Sequence, residues 1–312
     1  LKASKAETLE SVFYCIACKP RKAYNPFRAL IDEDSDEHTV LISNILDRCK
    51  TYSCKETKST ILETEHECRM IFQNVDGNKS NFDSFVVGIE STETSFPIIG
   101  LAETNTSPDE SSVYTISGYN SYYQDTLENK SKGTGVALYI SQSFNAVVNY
   151  QVSHVSPNLE TLFVNITSKQ GPTVIGVVYR PPSGDFNQAL KELHDILEKL
   201  PKSRTHVMGD FNINLHSKTL ASIRVFEEEV LGLGFTPLIS TLTHEKPGCE
   251  PSCIDNILTN SPENTIASGT IALGVSHHHA VFQLFNGIDK ACSNEERTVQ
   301  YYDYCKSNVD KF

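Results

Sequence analysis

Apolar positions between residues 69 and 286 alternate between strand-like and helix-like spacing. Apolar recurrence every three to four residues predicts helices at 81–92, 184–200 and 219–234. The second helix has the clearest boundaries, because Asp185 lies near its start and Pro201 follows its end. Short runs rich in β-branched and aromatic residues predict strands, and these lie at 70–75, 96–104, 133–141, 161–167, 173–182, 205–214, 253–260, 265–275 and 280–285.

The flanks of this region have a different pattern. Residues 1–68 are rich in charge, as in DEDSDEH at 32–38, and show no sustained period, while the tail from 287 to 312 turns polar again. We therefore predict one domain at 69–286 between an N-terminal linker and a C-terminal linker. Many strands with a few helices favour an α/β (α+β) domain, with helices outside two packed sheets.

Composition narrows the classes of protein. The formal net charge of −12 is not typical of a general nucleic-acid binder. It does not exclude a nuclease, because such an enzyme needs local carboxylates for a metal. The chain has no run of 18 apolar residues, so no membrane association is expected.

The two termini and the cysteines bear on the compartment. The first residues, LKASKAETLE, lack the apolar segment of a secretion signal, and the absence of an initiating Met suggests a piece of a longer protein. Nine cysteines, an odd number, favour reduced thiols, and we expect Cys249 and Cys253 to be free. The expected location is intracellular, either nuclear or cytoplasmic.

Polar residues recur directly after the predicted strands, where a strand end provides a rigid platform for a site. Taken singly, each has an ordinary explanation as a solvated loop acid or a turn residue. Taken together, carboxylate and amide oxygens suit a hard divalent cation. Side chains of this kind are Asn74, Asp76, Glu103, Asp210 and Asn212.

A second group could act on a phosphate. Asp255 lies in a strand with apolar neighbours at Ile254, Ile257 and Leu258, so it needs a partner if it is buried, and a histidine of SHHH at 276–279 is the natural one. Such a pair could stabilise the oxygens of a phosphate. Asp210 could accept a proton from a water molecule that Asn212 orients. The combined set predicts phosphodiester hydrolysis.

Six blocks carry a family resemblance, and they occur in the expected order over residues 69–286. The chain resembles the endonuclease/exonuclease/phosphatase superfamily, which implies the DNase I-like fold, a four-layered α/β/β/α sandwich of two mixed sheets. Within it, the chain is most similar to the apurinic-type endonuclease domain of non-LTR (LINE-like) retrotransposons. The blocks are QNVDG (73–77), LAET (101–104), VVYRPPSG (177–184), GDFNIN (209–214), SCIDNILTN (252–260) and SHH (276–278).

The flanks add to this resemblance. FYCIAC at 13–18, followed by NPFRAL, is similar to the end of a PHD-like zinc finger whose earlier ligands are missing. Cys15 and Cys18 would be a ligand pair, whereas Cys49 and Cys54 are spaced too loosely to complete a finger. YYDYCKSNVDKF at 301–312 is similar to the lead-in to a reverse transcriptase.

The resemblance also implies the metal ligands. Asn74, Asp76 and Glu103 would surround Mg²⁺ (or Mn²⁺), with Glu103 the firmest ligand. One position departs from the pattern, because the family usually has Ser-Asp-His where this chain has Ser276 followed by His277. This change removes a negative charge that supports the metal, and Asp76 could compensate. We therefore expect an active enzyme with a high demand for metal.

The catalytic roles are implied in the same way. Tyr179 would contact the scissile phosphate, and Asp210 would activate the attacking water. Asn212 would position that water and the phosphate. Asp255 would orient His278, which would bind the phosphate opposite the metal.

Four functions remain open from the sequence. The first is a Mg²⁺-dependent endonuclease that nicks double-stranded target DNA to prime reverse transcription, with the rest of its own polyprotein (the reverse transcriptase) and the element RNA as partners. The second is an apurinic/apyrimidinic repair-type endonuclease, and the third is a catalytically weakened remnant of a retroelement. The fourth is a phosphatase acting on a lipid or inositol phosphate. The retrotransposon-like flanks favour the first.

Overall fold

Two mixed β-sheets pack against each other in the computed structural model of this protein. The structure describes residues 37–60, 67–125, 133–168, 171–202, 204–217 and 221–288. The strands are numbered along the chain. In spatial order, the first sheet contains β1 (Lys50–Tyr52), β13 (Thr265–Ile271), β14 (Ala280–Asn286), β2 (Glu67–Asn74), β3 (Ile98–Ala102), β5 (Val136–Ser141) and β4 (Tyr119–Gln124).

The second sheet is built in the same mixed way. It contains one parallel pair among antiparallel neighbours, just as the first sheet contains the parallel pairs β2 with β3 and β1 with β13. In spatial order its strands are β11 (Thr236–Pro237), β12 (Asp255–Thr259), β10 (Thr205–Asp210), β9 (Gly171–Tyr179), β8 (Glu160–Ser168) and β6 (Asn145–Val148), with β7 (His154–Val155) paired to β8.

The helices lie outside the sheets. The described helices are α1 (Glu37–Arg48), α2 (Cys54–Thr60), α3 (Asn78–Ser91), α4 (Pro108–Ser111), α5 (Phe186–Leu197) and α6 (Ala221–Gly232), with a short 3₁₀ turn at Pro262–Asn264. Helix α5 begins where the carboxylate of Asp185 accepts a hydrogen bond from the N–H of Gln188 at 2.8 Å, which caps the first turn. The predicted helices at 81–92, 184–200 and 219–234 correspond to α3, α5 and α6.

Apolar side chains divide into layers according to the alternation along each strand. Phe72 and Ile98 of the first sheet share a buried cluster with Val177 and Met208 of the second sheet. The sheets approach closely at one point, because a Cβ added to Gly100 would lie 2.7 Å from Met208 Sδ.

The outer layers use the opposite faces of the strands. Ile71 and Ile99 form a second cluster with Phe82 and Phe85 of α3, so this helix covers the outer face of the first sheet. Helices α5 and α6 bury their apolar faces, and Phe226 of α6 packs on Phe211 just beyond β10. The predicted α/β/β/α sandwich is confirmed.

Residues 37–60 pack on this sandwich, although the sequence analysis placed them in the N-terminal linker. Strand β1 pairs in parallel with β13, with Lys50 opposite Gly269. The hydroxyl of Ser240 donates a hydrogen bond to the carbonyl of Leu46 at 2.9 Å. Strand β2 begins at Glu67, two residues before the expected start of the domain.

Three further predictions concern the two ends of the chain, the cysteines and membrane-spanning segments. The zinc-finger remnant and the lead-in to a reverse transcriptase lie outside the described residues. The described cysteines are free thiols, including Cys249 and Cys253 as expected. Among the described residues, none of the helices combines the length and the apolar character that crossing a bilayer would require.

Candidate active site

Polar side chains from both sheets meet at one edge of the sandwich. Asn74 is the last residue of β2 and Glu103 follows β3, while Tyr179 ends β9 and Asp210 ends β10. Each of these strand pairs is parallel, so their carboxyl ends lie at the same edge of their sheet. The packing of the two sheets then brings the two pairs of side chains together.

Asn74 joins the two sheets through its side-chain amide. Its Nδ2 group donates to Glu103 Oε1 and to Asp210 Oδ2, both at 2.9 Å. Its Oδ1 atom accepts a hydrogen bond from the backbone N–H of Asp76 at 3.1 Å. Asn74 is buried, so these bonds satisfy an amide that water does not reach. A neutral donor between two carboxylates also reduces their mutual repulsion.

Tyr179 donates a hydrogen bond from its hydroxyl to Glu103 Oε1 at 3.0 Å. Burial raises the pKa of Tyr179, and the charges of Glu103 and Asp210 raise it further, so the phenol remains a donor at neutral pH. Glu103 has a φ of 52°, in the left-handed region. A non-glycine residue in this conformation at the end of a buried strand is typical of functional sites.

Asp210 is buried at the point where the sheets meet. Its Oδ1 atom accepts a hydrogen bond from the backbone N–H of Asn212 at 2.9 Å, while Oδ2 faces Asn74. Burial raises the pKa of Asp210 and nearby Asp255 raises it further, whereas His278 lowers it, and the result is a pKa of about 7. A carboxylate that gains and loses its proton near neutral pH suits a general base.

Asp255 and His278 form a close pair, as the sequence led us to expect. His278 Nδ1 lies 3.1 Å from Asp255 Oδ1 and 2.9 Å from Asp255 Oδ2. Burial lowers the pKa of His278, but the charge of Asp255 and its hydrogen bond outweigh this and raise the pKa to about 9. His278 is therefore an imidazolium at neutral pH. Its Nε2 atom, on the opposite side of the ring, is directed away from Asp255.

The loop that carries His278 is tied to β2. Ser276 Oγ donates to the carbonyl of Asn74 at 2.7 Å and accepts from the N–H of His278 at 3.2 Å. Gln73 Nε2 donates to Ser276 Oγ at 3.1 Å and to the carbonyl of His278 at 3.0 Å. Gln73 begins the block QNVDG, and this link to the His278 loop was not predicted from the sequence.

The three consecutive histidines face different surroundings. His277 is exposed, while only 11% of the His278 side chain is accessible to solvent. His279 Nε2 lies 3.4 Å from the carboxylate of Glu245. The ring of His244, which the sequence analysis missed, packs on the ring of His278 with centroids 4.6 Å apart. The ring of His277 also lies near His244, with centroids 6.5 Å apart.

Two expected site residues, Asp76 and Asn212, are linked to the other site residues mainly through backbone groups. Asp76 is exposed and adopts a φ of 49°, and within the described part of the chain its carboxylate forms no hydrogen bond to another site residue. Asn212, also at φ 49°, donates from Nδ2 to the backbone carbonyl of Arg180 at 2.9 Å. The remaining expected residues form two groups that meet at Asp210. Asn74, Glu103 and Tyr179 form one group, and Asp255 and His278 form the other.

The donor set fits a divalent cation. One oxygen or nitrogen from each of Asp210, Asp255 and His278 lies within 4.8 Å of the others, and this acidic and histidine cluster could hold a metal ion only where His278 has lost its proton, because a ligating imidazole must be neutral. Glu103 Oε1 accepts two hydrogen bonds, whereas Oε2 accepts none from the described residues. Carboxylate oxygens of this kind are the ligands that hard divalent cations prefer. The compact cluster is thus formed by Asp210, Asp255 and His278, while two of the expected ligands, Asn74 and Glu103, are hydrogen-bonded to each other beside it.

The fold and the site together define a hydrolytic enzyme that acts on phosphodiesters. The model of the Endonuclease/Exonuclease/phosphatase family matches residues 44–278, and the chain belongs to this family. No curated protein sequence matches the chain. The expected DNase I-like superfamily is therefore confirmed.

Solved structures share the fold at low sequence identity. The endonuclease domain of TRAS1, a telomere-specific non-LTR retrotransposon, is 14% identical with a TM-score of 0.58, and the match covers 70% of this chain and 98% of that domain. The apurinic endonuclease LMAP from Leishmania major is 11% identical with a TM-score of 0.58, covering 85% and 99%. An apurinic endonuclease from Archaeoglobus fulgidus is 17% identical with a TM-score of 0.53, covering 70% and 100%.

Proposed function

We propose that the protein is a Mg²⁺-dependent DNA endonuclease that nicks double-stranded target DNA by hydrolysis. The single observation that carries this proposal is the position of Asp210, a buried carboxylate where the two sheets meet, with an oxygen within 4.8 Å of a ring nitrogen of His278. A base and a cation at this separation suit attack by water on a phosphate diester. Asn74 and Asn212 fix both oxygens of the base.

Each side chain then has a defined task. Asp210 accepts a proton from the attacking water, and Asn212 holds Asp210 and positions the phosphate. The Tyr179 phenol donates to a phosphate oxygen, and the His278 imidazolium, oriented by Asp255, neutralises charge that develops on the phosphate. Attack at phosphorus forms a bond to the water oxygen and breaks the bond to O3′, which takes a proton from solvent and becomes a 3′-hydroxyl. A reverse transcriptase can extend such an end as a primer.

Glu103, Asn74 and Asp76 would hold Mg²⁺ (or Mn²⁺), with Glu103 the firmest ligand. When bound, the cation supplies positive charge to the phosphate and to the leaving oxygen. The oxygen donors support this assignment, and Glu103 Oε2 accepts no hydrogen bond within the described part of the chain. His277 in place of the usual carboxylate supports a weaker hold on the metal.

The biological setting follows from the motifs. We propose that the nick primes reverse transcription of a non-LTR retrotransposon, with the reverse transcriptase of the same polyprotein and the element RNA as partners. We propose a zinc-finger remnant within residues 1–68 and a linker at 287–312 around the endonuclease domain predicted at 69–286, on which residues 37–60 also pack. Free thiols at the described cysteines support a reducing compartment, either nuclear or cytoplasmic.

Nicking of a supercoiled plasmid tests this function. We expect the wild type to convert supercoiled plasmid to open circles with Mg²⁺ and not with a chelator, and Asp210→Ala to lose this activity. Removal of a catalytic base lowers the rate by roughly 10²–10⁴-fold. Equal nicking by the two proteins, or no nicking by either, would overturn the proposal.

A repair-type endonuclease is the second candidate, because two of the structures that share the fold are apurinic endonucleases. The two functions use the same site and differ in substrate. A duplex oligonucleotide with one abasic site, compared with the same duplex intact, separates them. Cleavage confined to the abasic strand would favour repair, while nicking of the intact duplex at comparable rates favours the target-DNA endonuclease.

A further inference from the structure

Arg180 directs its side chain at backbone carbonyls beside the active site. Its Nε group donates to the carbonyl of Phe211 at 2.7 Å, and Nη2 donates to the carbonyl of Asn212 at 2.9 Å. Its Nη1 group donates to the carbonyls of Pro181 at 3.3 Å and Gly184 at 3.4 Å. Arg180 is partly buried and forms no ion pair with any residue that the structure describes.

The backbone of Arg180 also forms hydrogen bonds with residues 210–212, the turn that follows β10. Its N–H donates to the carbonyl of Asp210 at 2.9 Å, and its carbonyl accepts from Asn212 Nδ2 at 2.9 Å. Arg180 therefore holds residues 210–212 with its side chain, its N–H and its carbonyl. No other residue described in the structure makes as many hydrogen bonds to this turn.

The turn needs such support because its conformation is uncommon. Asn212 has a φ of 49°, in the left-handed region that a non-glycine residue adopts only when its surroundings hold it there. In this conformation, the N–H of Asn212 reaches Asp210 Oδ1 at 2.9 Å. The orientation of the proposed base therefore depends on the conformation of Asn212.

We propose that Arg180 is a positioning residue that holds the turn at 210–212 in the conformation that orients Asp210. This inference rests on the proposed function for its catalytic consequence. Four hydrogen bonds to carbonyls use four of the five N–H groups of the guanidinium, which leaves one for any other acceptor. Bidentate binding of a DNA phosphate by Arg180 would require breaking bonds that support the turn.

A lysine at position 180 could not form the same hydrogen bonds to these carbonyls. Its ammonium group has three donors around one atom, whereas the planar guanidinium presents donors over a broad fork. The carbonyls of Phe211 and Asn212 are contacted by different nitrogens of Arg180. The structure thus requires the shape of the arginine side chain as well as its charge.

The first experiment compares Arg180→Met and Arg180→Lys with a matched control, Arg204→Met. Arg204 lies at the opposite end of β10, just before the strand, and also donates to a backbone carbonyl, that of Gly287 at 3.2 Å. We expect kcat for plasmid nicking to fall roughly 100-fold in Arg180→Met, because small displacements of catalytic groups have effects of this size. KM should stay unchanged, Arg180→Lys should resemble Arg180→Met, and Arg204→Met should nick at the wild-type rate per folded molecule.

Three outcomes of this comparison would overturn the inference. A rise in KM together with a salt dependence weaker by about one phosphate contact would identify Arg180 as a DNA ligand. Full activity of Arg180→Lys would show that only charge matters. An unchanged kcat per folded molecule in Arg180→Met would reduce Arg180 to a stabilising residue.

A second measurement separates this inference from the proposed function. Hydrogen exchange of the Asn212 amide, which donates to Asp210, reports the turn without any substrate. We expect faster exchange in Arg180→Met and wild-type exchange in Arg204→Met. Unchanged exchange in Arg180→Met would overturn the inference. If the wild type did not nick DNA but the exchange difference were present, the proposed function would fail and the positioning of the turn would stand.

Discussion

At the scale of single residues, the chemistry of the site depends on charges that are held close together without much water. Asp210 and Asp255 are both buried, and the positive charge of His278 beside them offsets the cost of burying two carboxylates close together. Burial and the neighbouring carboxylate bring the pKa of Asp210 to about 7, while Asp255 keeps His278 protonated. Near neutral pH, a carboxylate able to accept a proton and a positively charged imidazolium are therefore present together.

The rate of nicking should follow these two pKa values. Asp210 must lose its proton to act as a base, so we expect the rate to rise with pH through about 7. His278 must keep its proton, so the rate should fall as pH rises through about 9. In Asp255→Asn, the main cause of the raised pKa of His278 is removed, and the alkaline limb should move to lower pH. Nicking rates of the wild type and Asp255→Asn, measured against pH at constant ionic strength, test this prediction. An alkaline limb at the same pH in both proteins would contradict it.

His277 should set the demand for metal. Replacing it with the carboxylate usual in the family, in His277→Asp, should lower the Mg²⁺ concentration for half-maximal nicking roughly five- to tenfold, because a nearby opposite charge contributes about 1 kcal/mol or more. His279→Asp is the matched control, because this side chain faces Glu245. Saturation of the wild type at micromolar Mg²⁺, or equal effects of the two variants, would argue against this.

At the scale of elements, strands β9 and β10 position Asp210, the proposed base. The sequence pattern Gly-Asp at 209–210 is compatible with a turn, yet the structure places both residues in β10, paired with β9. A Cβ added to Gly209 would lie 2.1 Å from the carbonyl oxygen of Val178 in β9. The glycine is therefore required by the close approach of two backbones inside the sheet.

Gly209→Ala should consequently destabilise the domain. The clash is with backbone, which cannot move without separating β9 from β10, so we expect a loss of about 2–3 kcal/mol in the free energy of unfolding. Gly232→Ala at the end of α6 is the control, because an added Cβ there meets no atom within 4 Å. Chemical denaturation monitored by circular dichroism measures both. Equal stabilities of the two variants would show that β9 and β10 are less closely packed.

At the scale of the whole molecule, the contact between the sheets contains a buried polar pair. His206 of β10 stacks on Phe285 of β14 with ring centroids 4.1 Å apart, and its Nδ1 atom lies 2.9 Å from Gln283 Oε1. Burial lowers the pKa of His206 to about 4, and the hydrogen bond to Gln283 opposes this shift. The folded state therefore favours the neutral ring.

This pair should make stability depend on pH. The unfolded chain protonates His206 near its ordinary pKa of about 6.5, so its stabilising effect is complete above that pH. The effect is lost as pH falls from about 6.5 towards 4, and it amounts to about 3 kcal/mol when complete.

His206→Gln should remove this dependence. Denaturant unfolding of both proteins between pH 7.5 and pH 4.5 gives the difference that isolates His206, because Asp210 titrates in the opposite sense in both. Parallel pH dependence in the two proteins would contradict the assignment.

Much of the fold was predictable, and the exceptions have a physical reason. Helix α5 and the central strands have strong periodic patterns, because they bury apolar faces along their whole length. Helix α1 and strand β1 escaped prediction because their partners, near Ser240 and Gly269, are distant in sequence. Strand β4 is a polar edge strand that is recognised only by its pairing with β5.

The sequence by itself determined which residues stand at the ends of the strands, because local alternation specifies where each strand stops and which polar side chain follows. The order of the blocks was also sufficient to identify the superfamily. Only the tertiary structure decided which of these side chains touch. Asn74 and Asp210 are 136 positions apart and meet because two sheets pack face to face. The same packing excludes water around Asp210 and leaves Asp76 exposed, and neither effect can be read from neighbouring residues, because burial depends on the whole fold.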